Sequence, residues 1–472
     1  MAINNLNSLK IKFLQIAFGG FLFILAFHVS KSAMFGATSN LKMIGGIVVA
    51  VAIILALDKN YWMLCPILSV VPLKIPEMPF SSAELGCLAL IGMFLLRSSM
   101  HMDRVTPLKK EVFFAVPYFF WVCVVWCLNP TGMHIFGSNT IGGRFYFQIV
   151  LAFATLCVLS RIITSERHCK VIFWSIIVGN FIRVLFSMSS FGVDALQESI
   201  EMDSNTKYYL ETFGNILILL LCHYRIGEFI KLSWKFFAAV ILFLAVTYAG
   251  RRTIMGEVLI SPFVLMLFKG KDKFKTMVIA FFACFILGFV LVGQGRVYEL
   301  PYSMQRAMSF LPAKWDSRFD NYGTKDLFRE ELHKRAKERI KENPLFGRKG
   351  FSMDLRDTVW INSRDVGVNY DGHEFSGNWH NKFLGMGADF GLPASFAWYF
   401  FSISAVLICW KRRYWTKLGT YRNTLVLYYS LFMVFDLVFA FGHSALTPFG
   451  QWINFAFLLT LLNKNNGSYL ER

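Results

Sequence analysis

An all-α polytopic membrane protein of about 12–14 spanning helices, with one large extracytoplasmic loop, is the fold class the sequence predicts. Three observations point there. Of 472 residues, 55% are hydrophobic and 17% aromatic, with 50 Phe, which is too apolar for a soluble chain of this length. Apolar windows of roughly 20 residues recur from end to end. Polar sequence is concentrated in one stretch, 294–384, between hydrophobic segments that stop near Val292 and resume near Gly385.

The windows predict helices at 13–29, 40–57, 61–73, 83–97, 112–128, 144–160, 171–190, 208–224, 236–250, 253–268, 276–293, 385–410, 421–440 and 446–463. The third is short, is broken by Pro66 and Pro72, and is open to a re-entrant reading. The first follows Lys10 and Lys12 and reads as a retained helix, because Lys31 spoils a small-residue cleavage site before Met34. The chain thus divides into N-terminal helices (1–293), the long loop (294–384) and C-terminal helices (385–472).

A net charge of +18 invites a nucleic-acid reading, but the cations sit mainly in loops between apolar segments, where the positive-inside bias explains them. No nucleic-acid partner is expected; membrane lipids are. Arg97 to Lys110, Arg161 to Lys170, Arg225 to Lys235, Lys269 to Lys275 and Lys411 to Arg422 bound the loops assigned to the cytoplasmic side. Loops 129–143 and 441–446 lack Lys and Arg, and 191–207 sets Lys207 against four acids, so these face outward. Parity places 294–384 outside and both termini inside. The nine Cys lie in or beside apolar segments and read as packing residues, not as a disulfide framework.

Several charged residues fall where a bilayer disfavours them. Arg183 lies inside the seventh predicted span, where it either snorkels to the outer headgroups or contacts an anionic lipid headgroup. Glu211, near the outer face of the next span, is a candidate ion-pair partner for Arg183 or Arg252. Arg251 and Arg252 are forced into a tight outer turn between the ninth and tenth spans. Interfacial anchoring accounts for such a pair, yet it sits on the side where cations are not expected, and two guanidiniums there suit bidentate capture of phosphate oxygens.

In the long loop Phe328, Leu332, Ala336 and Ile340 recur every four residues among charges, predicting an amphipathic helix near 325–342 that lies on the membrane surface or caps the bundle. Arg329 and His333 share one face of it. Asn343-Pro344 ends the helix, and Gly347 and Gly350 permit a turn. Trp379-His380-Asn381 then meets the next span, which pins His380 at the outer boundary. A lone His is usually structural, but imidazole is the side chain best suited to proton transfer near neutral pH, and this one is a candidate general base. His443 is a weaker one. The sequence lacks HExxH and paired CxxC, so neither a metal site nor a cofactor is expected.

Taken in order, Arg252 in an Arg-Thr turn, Arg329 15 positions before Pro344 of Glu-Asn-Pro-Leu-Phe-Gly, His380-Asn381 opening His-Asn-x-x-Leu, and Asp389-Phe390-Gly391-Leu392-Pro393 resemble the O-antigen ligase and polysaccharide polymerase superfamily of bacterial envelope glycosyltransferases. The resemblance covers roughly 236–410. It implies a GT-C-like enzyme of the bacterial cytoplasmic (inner) membrane, with its active site facing the periplasm. Such an enzyme moves an oligo- or polysaccharide from undecaprenyl diphosphate to a saccharide acceptor, lipid A core or a growing glycan, without metal. Arg252, Arg329 and His380 carry over as catalytic residues; Arg251, Arg183, Glu211, Asn381 and His333 are the candidates for substrate binding. Where the family usually has an aromatic residue four positions after the loop arginine, this chain has His333. A repeat-unit polymerase of the same superfamily and a lipid-linked glycan flippase are the alternatives. A transporter should hold its key polar groups near the bilayer midplane, in repeated halves, and a structural scaffold needs no convergence of Arg252, Arg329 and His380 at all.

Overall fold

The computed structural model describes residues 60–70, 80–99, 107–129, 143–189, 212–225, 233–249, 252–269, 288–301, 313–316, 323–350, 379–412, 420–441 and 449–462, with single positions and pairs between them. Apart from an isolated bridge between Gln294 and Tyr298, these are helix and turn. The α-helices are α1 (Leu64–Val70), α2 (Ser82–Ser99), α3 (Val116–Leu128), α4 (Gly143–Leu159), α5 (Glu166–Ser189), α6 (Thr212–His223), α7 (Trp234–Tyr248), α8 (Arg252–Lys269), α9 (Gly323–Glu342), α10 (Lys382–Phe390), α11 (Leu392–Arg412), α12 (Tyr421–Val438) and α13 (Phe449–Leu461). The spans expected at 13–29 and 40–57, and most of 276–293, lie outside the described residues.

Two compact units divide the chain. In the smaller, residues 1–64 and 89–104, Arg97 is buried with its guanidinium 5.2 Å from the centre of the Tyr61 ring. The larger, 65–88 and 105–472, holds the residues singled out from sequence. Its centre is α12, which packs against α5, α6, α8, α11 and α13, while α13 also packs on α4 and α11 on α3. Leu425, Leu431, Met433 and Phe435 of α12 are buried there, as are Trp398, Phe401, Trp452 and Phe455. Polar atoms in this core find partners: Trp398 Nε1 donates to Gln451 Oε1 at 2.7 Å, and Gln451 Nε2 donates to Ser402 Oγ at 2.8 Å.

Ser82–Ser99 and Leu392–Lys411 are long and apolar enough to cross a membrane, and six more helices are apolar but shorter. Phe120, Phe181, Trp234, Phe237, Ile241, Phe396, Phe400 and Leu407 are all exposed. Water tolerates such surfaces poorly. The eight described cysteines are free thiols.

One expectation is corrected. Residues 385–410 are not a single helix but two, α10 and α11, broken at Gly391. Gly391 has φ +89, and a Cβ there would collide with the carbonyl oxygen of Leu345. Pro393 occupies the second position of α11, where its missing N–H does no harm.

Candidate functional site

The site is organised by α9, the helix of the long polar loop. Its sequence stripe works as expected: Leu332 and Ala336 are fully buried, whereas Arg329 and Glu330 on the same helix are exposed. Arg335–Glu331 (3.5 Å) and Arg339–Glu342 (3.3 Å) pair along its outer face, each worth only a few tenths of a kcal/mol, about 0.3–0.5. The helix packs on α10, where Ile340 lies so close to Gly387 that a Cβ there would be 2.9 Å from Ile340 Cδ1. The α9 helix therefore caps the bundle through α10.

The turn that ends α9 is fastened to the α10–α11 break almost entirely by backbone. Asn343 Oδ1 accepts from Phe346 N at 3.2 Å, and Gly347 N donates to Asn343 O at 2.8 Å. Arg348 N then donates to Ala388 O (2.8 Å), Gly350 N to Asp389 O (2.6 Å) and Leu392 N to Pro344 O (2.8 Å). Gly347, at φ +54, faces the Ala388 carbonyl too closely for any side chain. From α3, Trp121 stacks on Phe346 with centroids 5.5 Å apart and donates Nε1 to Phe390 O at 2.9 Å. Two motifs that the sequence shows separately, Asn-Pro-Leu-Phe-Gly and Asp-Phe-Gly-Leu-Pro, are one folded piece.

Asp389 sits inside that piece, fully buried. Its Oδ1 is 2.6 Å from Arg348 Nε, and its Oδ2 accepts from Trp379 Nε1 at 3.2 Å. The contact with Arg348 is an ion pair without the linear geometry of a hydrogen bond. Trp379 is itself buried. On the other side of His380, Asn381 caps α10, with Oδ1 accepting from Leu384 N at 3.0 Å. His380 between them is half-buried at φ +53, a left-handed conformation that costs a non-glycine residue roughly 1–2 kcal/mol. Strain of this kind persists where the surroundings over-determine it, and it gathers at functional sites.

His333 approaches from α9 and lies against the backbone of Trp379. Its Nε2 is buried with no hydrogen-bond partner among the described residues. Burial first, then the charges of Lys337 and Arg329, lower its pKa from the ordinary 6.5, and the Trp379 backbone pulls weakly the other way. The ring is therefore neutral at pH 7. Arg329 lies one turn earlier, and its influence on His333 puts its charge at the same end of α9.

Arg252 is the first residue of α8 and is half-buried. One turn on, Gly256 packs against the Phe439 ring, 3.0 Å from where a Cβ would stand. Phe439 opens the 3₁₀ turn Phe439–Phe441 after α12, and that same turn also packs on α10. The starts of α8 and α10 thus belong to elements that share one neighbour. Near it, Lys382 is buried two residues after His380, with Nζ 3.7 Å from Asp436 Oδ1 and 4.9 Å from the centre of the Trp398 ring.

Of the residues singled out from sequence, His380, Asn381 and His333 come together, and Arg329 stands one turn away. Arg252 is not brought against them: its helix, α8, and α10 each pack on the same 3₁₀ turn. Asn381 has a second duty as a helix cap. Arg183 lies on α5, with its side chain outside the described residues, as are Arg251, Glu211 and His443 altogether. Sequence reasoning missed Arg348, Asp389, Lys382 and Asp436. For Asp389 and Asp436 the sequence does carry a signal, an acid inside an apolar window.

Residues 237–399 match the family model described as O-antigen ligase. The match holds Arg252, Arg329, His380 and the whole turn-and-break assembly, and it stops short of Asp436. No curated protein matches the chain.

Proposed function

We propose, for a chain that carries an O-antigen ligase family domain, that it transfers an oligo- or polysaccharide from undecaprenyl diphosphate to a saccharide acceptor at the periplasmic face of a bacterial inner membrane. The observation that carries this reading is the setting of His380. It is held at a strained φ between a buried Trp379 and the Asn381 cap, on the segment that α9 brings His333 against, one turn from Arg329.

The chemistry follows from the residue types. As the bond from the anomeric carbon to the diphosphate oxygen breaks, negative charge grows on the leaving diphosphate. Arg252 and Arg329 offer guanidiniums with a planar fork for those oxygens. An acceptor hydroxyl attacks from the opposite face and gives its proton to His380, which inverts the configuration at the sugar. Arg251 supplies a second fork beside Arg252, Arg183 meets a lipid headgroup, and Glu211 pairs with one of the arginines. Asn381 and His333 border the acceptor side. The exposed aromatic and aliphatic side chains of α3, α5, α7 and α11 support lipid contact around the bundle.

Glycan analysis of a deletion strain tests the reading. Loss of long chains from lipid A with lipid-linked polymer retained marks a ligase, and single-repeat products mark a polymerase of the same superfamily. Normal glycans in every fraction would overturn both.

A further inference from the structure

We infer that Asp389, held by Arg348, is a positioning residue for His380, acting through the indole of Trp379. This inference rests on His380 as the base and adds what holds it there. A fully buried carboxylate is hard to justify as a stabiliser, since well-packed apolar residues in place of a buried ion pair are often neutral or better. Its geometry points elsewhere. One oxygen faces Arg348 Nε at 2.6 Å, and the other accepts from Trp379 Nε1 at 3.2 Å, one residue before His380. The peptide following His380 is fixed by the Asn381 cap. His380 is therefore clamped on both sides, and only the clamp on the Trp379 side depends on a charged pair.

Arg348 comes from the turn after α9, and its own backbone N–H is tied to Ala388 O at 2.8 Å. The side chain therefore starts from a fixed point, and its ion pair with the buried carboxylate orients the oxygen that accepts from the indole. A base displaced by about 1 Å loses on the order of 10²-fold in rate, which is the scale at stake.

The test uses the full-length protein in detergent, with lipid-linked glycan extracted from a deletion strain as donor. Trp379→Phe keeps an aromatic ring and removes the indole N–H, together with the volume of the five-membered ring at a buried position. Arg348→Met with Asp389→Leu removes both charges together, so that neither is left unpaired, and takes the acceptor from Trp379 Nε1. Each is expected to lower kcat about 10–100-fold, with donor KM near wild type, and the thermal midpoint is expected to fall somewhat in both, from the cavity in one and the unpaired indole N–H in the other. Combined with His380→Ala, each is expected to add nothing further, because a residue that acts through the base has no effect once the base is gone. Wild-type kcat in both variants, or full additivity with His380→Ala, overturns the inference. If Trp379→Phe folds and the charge-neutral pair does not, Trp379→Phe alone decides. If His380→Ala itself keeps wild-type turnover, the base assignment fails first; if it is crippled while Trp379→Phe is not, only the positioning role fails.

Discussion

The imidazole of His333 rests against the backbone of Trp379, so the long-loop helix touches the residue directly before His380. Burial of that imidazole, which outweighs the contact, gives one pH effect a definite sign. The folded pKa of His333 is depressed, so the unfolded chain binds a proton that the folded one refuses as pH drops through 6.5. Stability from this group is present above the unfolded value and is lost as pH falls toward the folded one. Thermal midpoints in detergent at pH 7.5 and 5.5 are expected to separate for wild type and to separate less for His333→Phe. An equal acid loss in both would reassign the effect.

His380→Ala is expected to cost transfer about 10²–10⁴-fold, the usual range for a general base. His333→Ala serves as the internal comparison and is expected to be milder. Turnover across pH with lipid-linked donor checks this: a His380→Ala enzyme that keeps most of the rate and the wild-type acidic limb removes the base.

Arg252→Ala and Arg329→Ala should abolish transfer while membrane levels of the protein stay near normal. Both side chains are half or fully exposed, so neither is a packing element. Lysine at either position should also be poor, because an ammonium lacks the planar fork. Full activity with lysine at both would exclude bidentate capture.

Gly391→Ala should destabilise the protein by more than the roughly 1–3 kcal/mol of backbone strain alone, since its Cβ also meets the Leu345 carbonyl. Gly92, inside α2, has open space around it. Gly92→Ala is therefore expected to be neutral or to gain up to about 1 kcal/mol of helix propensity. Paired melts of the two variants read the contrast directly.

A reporter fused after Lys349 should read as external and one after Arg413 as cytoplasmic. The reverse would turn Arg252 and His380 toward the wrong compartment.

Periodicity and helix breakers made much of this legible. The expected 236–250, 253–268 and 325–342 became Trp234–Tyr248, Arg252–Lys269 and Gly323–Glu342. Hydropathy could not reveal the break at Gly391, because α10 is as apolar as a span but is buried by protein, and a glycine tolerated in any membrane helix gives no warning. The Arg348–Asp389 pair was invisible for another reason. It joins positions about 40 residues apart, and nothing local in either motif says which charge it will meet.

Asp389 has a consequence for how this architecture can change. Gly350 donates its N–H to the Asp389 carbonyl, and Trp379 donates its indole N–H to the Asp389 carboxylate. Residues 351–378 therefore leave from and return to a single amino acid. Lengthening such a closed segment costs only about 0.6 kcal/mol per doubling, and His380 need not move.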